Sequence, residues 1–182
     1  MPEYGDPDNA RSWTNAIVVV AFPDEAGEYP ADPATVADEW PAGWELAGLL
    51  DGGQGFVTSR TSTITDDNAW GQILISSVET GVKTTRAFTA LEQNEVVDRL
   101  EHIEDGVQYQ RGPERVKIGF ETIDLGRGVT QRRISKYQAE VRINGDSTEN
   151  EGTSERHPFI ATIFPDTDQG LWVVQRSEAV GS

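Results

Sequence analysis

Apolar positions in this chain fall into short runs and strict alternations, and helical spacing occurs once. Asn15 to Phe22 (NAIVVVAF) is β-branched and predicts a buried strand. Pro23 to Pro41 follows with four prolines and many acids. Proline removes backbone donors and carboxylates resist burial, so this stretch predicts a surface excursion with one helical turn near Ala34–Ala37. Gly43 to Gly55 reads as a short strand and a turn. Three strands are expected next: Phe56–Ile64, Trp70–Glu79 and Val82–Leu91, with turns at Asp66–Asn68 and Thr80–Gly81. The helical spacing comes at Glu92–Ile103, where Val96, Val97, Leu100 and Ile103 form one face. Thr89 and Glu92 fit a capping box, Asn94 offers a later N-cap, and Asp105-Gly106 ends the helix.

The second half returns to alternation. Val116, Ile118, Phe120 and Thr122 form one face of a strand, as do Tyr137, Ala139, Val141 and Ile143. Asn144–Ser154 is a polar, glycine-bearing loop, and Phe159–Phe164 and Leu171–Gln175 are the last strands. The expected fold class is therefore mainly β: a β-sandwich or partly closed β-barrel of eight or so strands, with one flanking α-helix at about residues 92–103 and long loops. No repeat or linker divides residues 1–182, so one domain is expected, with a flexible N-terminal arm over 1–14 and a frayed tail over 177–182.

Charge sharpens this picture. The chain has 15 basic and 31 acidic residues, a net charge of −16. Residues 1–55 hold Arg11 as their one basic residue against eleven acids, whereas 111–142 hold eight basic residues against four acids. An acidic surface favours solubility and repels nucleic acid. The basic strip around Arg132-Arg133 places its aromatics, Phe120 and Tyr137, on the apolar alternating face, whereas a nucleic-acid reader exposes them. Pairing of the strip with the acidic remainder, within the chain or across subunits, fits better. There are no cysteines, hence no disulfides or thiolate sites, and no apolar run or leader of a length that implies a membrane or secretory signal.

Catalytic patterns are sparse. His102 and His157 read as surface histidines with no nucleophile pattern beside them. Gly52, Gly53 and Gly55 lack the Lys-Ser/Thr of a phosphate loop and read as a turn. The acids at Asp66-Asp67, Asp146–Glu151 and Asp166–Asp168 lack calcium-loop spacing. No catalytic, cofactor-binding or metal-ligating residue is assigned, and no cofactor or enzymatic activity is expected. Trp13, Trp40, Trp44, Trp70 and Trp172 read as core or interface anchors, with a sugar-binding platform as the alternative. A glycosidase would need a carboxylate pair across a cleft, and nothing in the sequence selects one.

The order of features resembles phage major tail (tail tube) proteins. It comprises the strand AIVVVAF, the Pro/Ala/acid-rich stretch, Pro41-Ala42-Gly43-Trp44-Glu45-Leu46-Ala47-Gly48, the Asp51-Gly52 turn, long hairpin strands around Trp70, and Phe88-Thr89-Ala90-Leu91-Glu92-x-Asn94 leading into the helix. The likeness covers about residues 15–105. It implies a virion protein made in the host bacterial cytoplasm, with six copies per ring and rings stacked into a hollow tube. The implied partners are the chain itself, a tape measure protein, and tail terminator and tail tip proteins. Double-stranded DNA would be a partner in transit through an acidic lumen, and a membrane none. The alternative is a virion-associated or other carbohydrate-binding or adhesion β-module.

Overall fold

The structure is a computed structural model and describes residues 12–70, 73–147 and 151–177. It is mainly β. Its strands are β1 (Asn15–Ala21), β2 (Trp44–Leu46), β3 (Val57–Ala69), β4 (Ile73–Ala90), β5 (Ile103–Glu104), β6 (Val107–Gln108), β7 (Glu114–Asp124), β8 (Val129–Ser135), β9 (Ala139–Ile143), β10 (His157–Ile163) and β11 (Trp172–Arg176); the single helix found among the described residues, α1, is Glu95–Leu100. Nine strands form one antiparallel sheet ordered β11-β8-β7-β9-β10-β4-β3, with β1 added to β7 and β2 to β1. The sheet does not close into a barrel. It is sandwich-like, and β7 is the strand common to both halves: residues 114–116 pair with β9, and residues 117–124 pair with β1 and β8.

Alternation explains the core. Val18 and Val20 of β1, Ile118 and Phe120 of β7, Phe88 of β4, and Phe159 and Ala161 of β10 are all buried and in one cluster. Phe88 meets Phe159 and Phe120 at ring distances of 5.4 and 6.0 Å, and Trp172 meets Phe120 edge-on at 5.9 Å. Helix α1 adds Val96, Val97 and Leu100 to this core. Asn94 caps it by accepting a hydrogen bond from the Val97 amide, so the later cap prevails, while Thr89 stays in β4. The helix is six residues long, shorter than the 92–103 expected, because residues 103–104 turn into β5.

A second cluster, Val19, Ala21, Trp44 and Ile134, with Trp40 and Val173 against it, occupies the other face of β1 and β8. The Pro-rich segment covers it. Lys117 Nζ bonds both Asp32 oxygens at 2.6 and 2.7 Å, the Trp44 indole N–H donates to Ala31 O, and Gln175 donates to Pro33 O. Arg132 donates to the carbonyls of Thr35 and Asp38 and lies over the Trp40 ring at 4.3 Å. The segment is thus strapped onto the sheet rather than looped away from it. Residues 34–38 form a turn, closed by Asp38 N–H to Thr35 O, not a helix. Gly119 is required here: a Cβ on it would run into the Trp40 ring and Val19.

The hairpin corrects the expected turns. Asp66–Asn68 lies within β3 and Thr80-Gly81 within β4, so two strands stand where three were expected. Both sites are irregularities of register, between Thr61 and Thr63 and between Asp67 and Asn68, and Gly81 has the positive φ of 62° that a bulge accommodates. Strand β8 is a further element that the sequence pattern does not predict, since Arg132-Arg133 breaks its alternation. At the ends, Thr14 bonds Ile123 O and Ser177 N–H bonds Thr130 O, so both belong to the sheet framework. The rest of the expected flexible arm through residue 11, and the tail from 178, lie outside the described residues.

Candidate functional site

Two adjacent features stand out: a long β-hairpin arm and a cavity at its foot. β4 is 18 residues long, but burial begins at Thr84, and β3 is exposed from Val57 through Asn68. From Lys83 to Ile73 the free portion runs roughly 33 Å at about 3.3 Å per residue. A lone two-stranded ribbon is marginally stable in water. This one also exposes Ile64, Ile73, Leu74, Ile75, Val78 and Val82, each more than half accessible, and Trp70 is wholly accessible. Its charged side chains include Arg60 and Glu79, which pair at 3.1 Å, and Asp66 and Asp67 near the tip. β3 ends the ladder, so its outer backbone groups have no strand partner among the described residues.

The cavity measures about 860 Å³ and opens between the start of β1, the Leu46–Phe56 turn region and the inner face of β4, β7 and β8. Trp13, Ile17, Leu49, Leu50 and Phe56 supply apolar lining, and Arg86 and Arg133 supply charge. Arg86 is 9% exposed. It lies over the Phe56 and Phe120 rings at 5.0 and 4.8 Å and donates one hydrogen bond, to Thr58 Oγ1 at 2.7 Å. Its Nε and that of Arg133 are buried without a hydrogen-bond partner, and neither guanidinium has a carboxylate partner among the described residues. Desolvation, with the Arg133 charge adding to it, pushes the Arg86 pKa down to about 10. The two acids in the lining are committed elsewhere. Asp51 is bonded by Arg156 at 2.9 Å and by its own turn, and Glu92 accepts from the Leu49 amide.

That turn is where the glycine cluster lies: Gly53 N–H donates to the Asp51 carboxylate and Gly55 N–H to Asp51 O. The two motifs around it are neighbours in space. Gly48, at φ 87°, leaves room for the side chains of Glu92 and Asn94, which a Cβ would meet at 2.8 and 2.7 Å.

Both histidines depart from the surface positions expected. His157 is buried, with Nδ1 2.8 Å from Glu101 Oε1. His102 is mostly buried at a φ of 58°, with Nε2 2.8 Å from Gly112 O. Each is placed by a polar contact that sequence does not register. Tyr137 is half exposed, outside the strand, whereas Phe120 is buried. The basic strip is largely paired within the chain: Arg132 with Glu121 at 2.7 Å, Lys117 with Asp32, Lys136 with Asp166 and Arg115 with Glu140. Asp166 also caps its own turn through the amides of Asp168 and Gly170. Trp40 and Trp44 pack at 4.9 Å but tilted by 49°, and Trp70 stands apart on the arm, an arrangement unlike a flat sugar platform.

No group of three or more potential ligands is placed to hold a metal among the described residues, and no helix there is long and apolar enough to cross a membrane. The chain matches no protein-family model and no curated sequence.

Proposed function

We propose that the chain is the tail tube subunit of a tailed bacteriophage: a structural virion protein that self-associates into stacked, six-membered rings whose acidic lumen conducts double-stranded DNA. The observation that carries this reading is the arm. A ribbon of this length with apolar side chains in water gains stability when a second copy covers it, and a free strand edge offers backbone pairing as well. The motif order that resembles major tail proteins adds support, since the Trp44-x-x-x-Gly48 and Glu92-x-Asn94 pieces fit against each other. The net charge of −16 suits a wall along which DNA slides, because like charges repel within the Debye length of about 8 Å at physiological salt.

Negative-stain microscopy and light scattering of the concentrated protein test the proposal. Rings or tubes are expected from the full chain. A variant with residues 62–82 replaced by an Asn-Gly turn should keep its thermal midpoint, since the core begins at Thr84, and should stay monomeric. A full chain that remains a compact monomer at every concentration and salt overturns the reading.

A further inference from the structure

We propose that the cavity bearing Arg86 and Arg133 is a carboxylate receptor, and that its occupant is the arm tip of a second copy, with Asp66 and Asp67 supplying the carboxylates and Trp70 the apolar anchor. The inference deepens the assembly reading above and rests on it.

Four observations carry it. First, Arg86 and Arg133 both line the cavity, each has an Nε without a hydrogen-bond partner, and Arg86 is nine-tenths buried. Buried cations without a counter-charge are costly, and an incoming carboxylate converts that cost into charge-assisted hydrogen bonds. Second, the cavity pairs this charge with an apolar wall of Trp13, Leu49, Leu50 and Phe56, so it fits a ligand with both an acid and an apolar body. The arm tip has that composition, with Asp66, Asp67, Trp70 and Ile73 close together in sequence and exposed.

Third, the acids of the strapped Pro-rich segment that sit nearest in character are engaged: Asp32 with Lys117, and Asp38 with Thr35. Asp66 and Asp67 make no side-chain hydrogen bond or ion pair among the described residues. Fourth, the strands of the arm enter the body past Thr84 and reach Phe56 and Arg86, which are themselves in the cavity wall. The arm tip is therefore roughly a full free arm length, about 33 Å, from its own cavity. An arm tip that fills the cavity must come from another molecule. Tip into foot is a heterologous contact, which propagates into a closed ring or an open stack.

The absence of cysteine permits a clean test. Two full-length variants, Asn68→Cys at the tip and Leu49→Cys at the cavity rim, are mixed under assembly conditions and oxidised. A disulfide-linked heterodimer is expected, and Asn68→Cys with Gln108→Cys, away from the cavity, should give none. In parallel, Asp66→Asn/Asp67→Asn, on the exposed arm, should raise the critical concentration for assembly by about tenfold or more. Assembly that proceeds with no 68–49 cross-link, or with Asp66→Asn/Asp67→Asn unaffected, overturns the docking and leaves the tube reading standing. A chain that neither assembles nor cross-links overturns both.

Discussion

Glu121 and Arg132 face each other across β7 and β8 at 2.7 Å, both nearly out of water, and Arg132 uses its remaining donors on two carbonyls of the Pro-rich segment. One side chain thereby ties a sheet to its cover. Removing its counter-charge leaves a buried guanidinium, so Glu121→Ala should cost about 3–5 kcal/mol, read by urea denaturation. Asp51, partly buried against the half-exposed Arg156, gives the milder case. The Arg156 hydrogen bond, followed by that from Gly53, lowers its pKa below the ordinary carboxylate range. A lowered folded-state pKa contributes stability that is present above the unfolded value near 3.8 and lost as pH falls through the folded one. An NMR titration of Asp51 should have its midpoint below that of a free aspartate and move back up in Arg156→Ala.

Among the elements, the alternating strands were the most legible in sequence. β7 buries Val116, Ile118, Phe120 and Thr122 as its period-2 pattern selects, though Gly119 and Glu121 of its other face are covered too; β9 buries Ala139 and Val141 but leaves Ile143 exposed; β1 lies where its β-branched run predicts. What escaped were elements that break the binary code. β8 carries Arg132 at a buried position that its ion pair with Glu121 and two carbonyls make tolerable, with Arg133 beside it, so no hydrophobic pattern marks the strand. The arm's bulges mimic turns, because Asp-Asp-Asn and Thr-Gly are turn-forming residues wherever they stand. The cavity was illegible for a related reason. Arg86 and Arg133 are 47 positions apart and meet through strand order, which composition does not encode. The arm itself makes a kinetic prediction. Limited proteolysis of the unassembled protein should cut first within residues 61–83, where no core contact protects the backbone, and assembly should slow that cleavage.

For the whole molecule, charge opposes the association proposed for the arm. In that assembly, copies carrying −16 each would repel at distance, while apolar arm contacts and the proposed Arg–Asp pairs would act at short range. Screening weakens the first far more than the second. Raising salt from about 0.01 M to 0.15 M, which shortens the Debye length from about 30 to 8 Å, should therefore speed assembly, measured by light scattering. Falling scattering across that range would mean that exposed ion pairs dominate the interface.

β4 also has a mechanical consequence. It is a single uninterrupted strand from the arm into the core, where residues 84–90 pair along β10, and β10 passes the ladder through β9 to β7, the strand common to both halves of the sandwich. Tension applied at the tip along the arm therefore enters the body parallel to a strand. The seven rungs between β4 and β10 are then strained together in shear instead of parting one after another. In the proposed assembly the chain would act as a tie rod, with its grip at one end and its anchorage spread through the sheet.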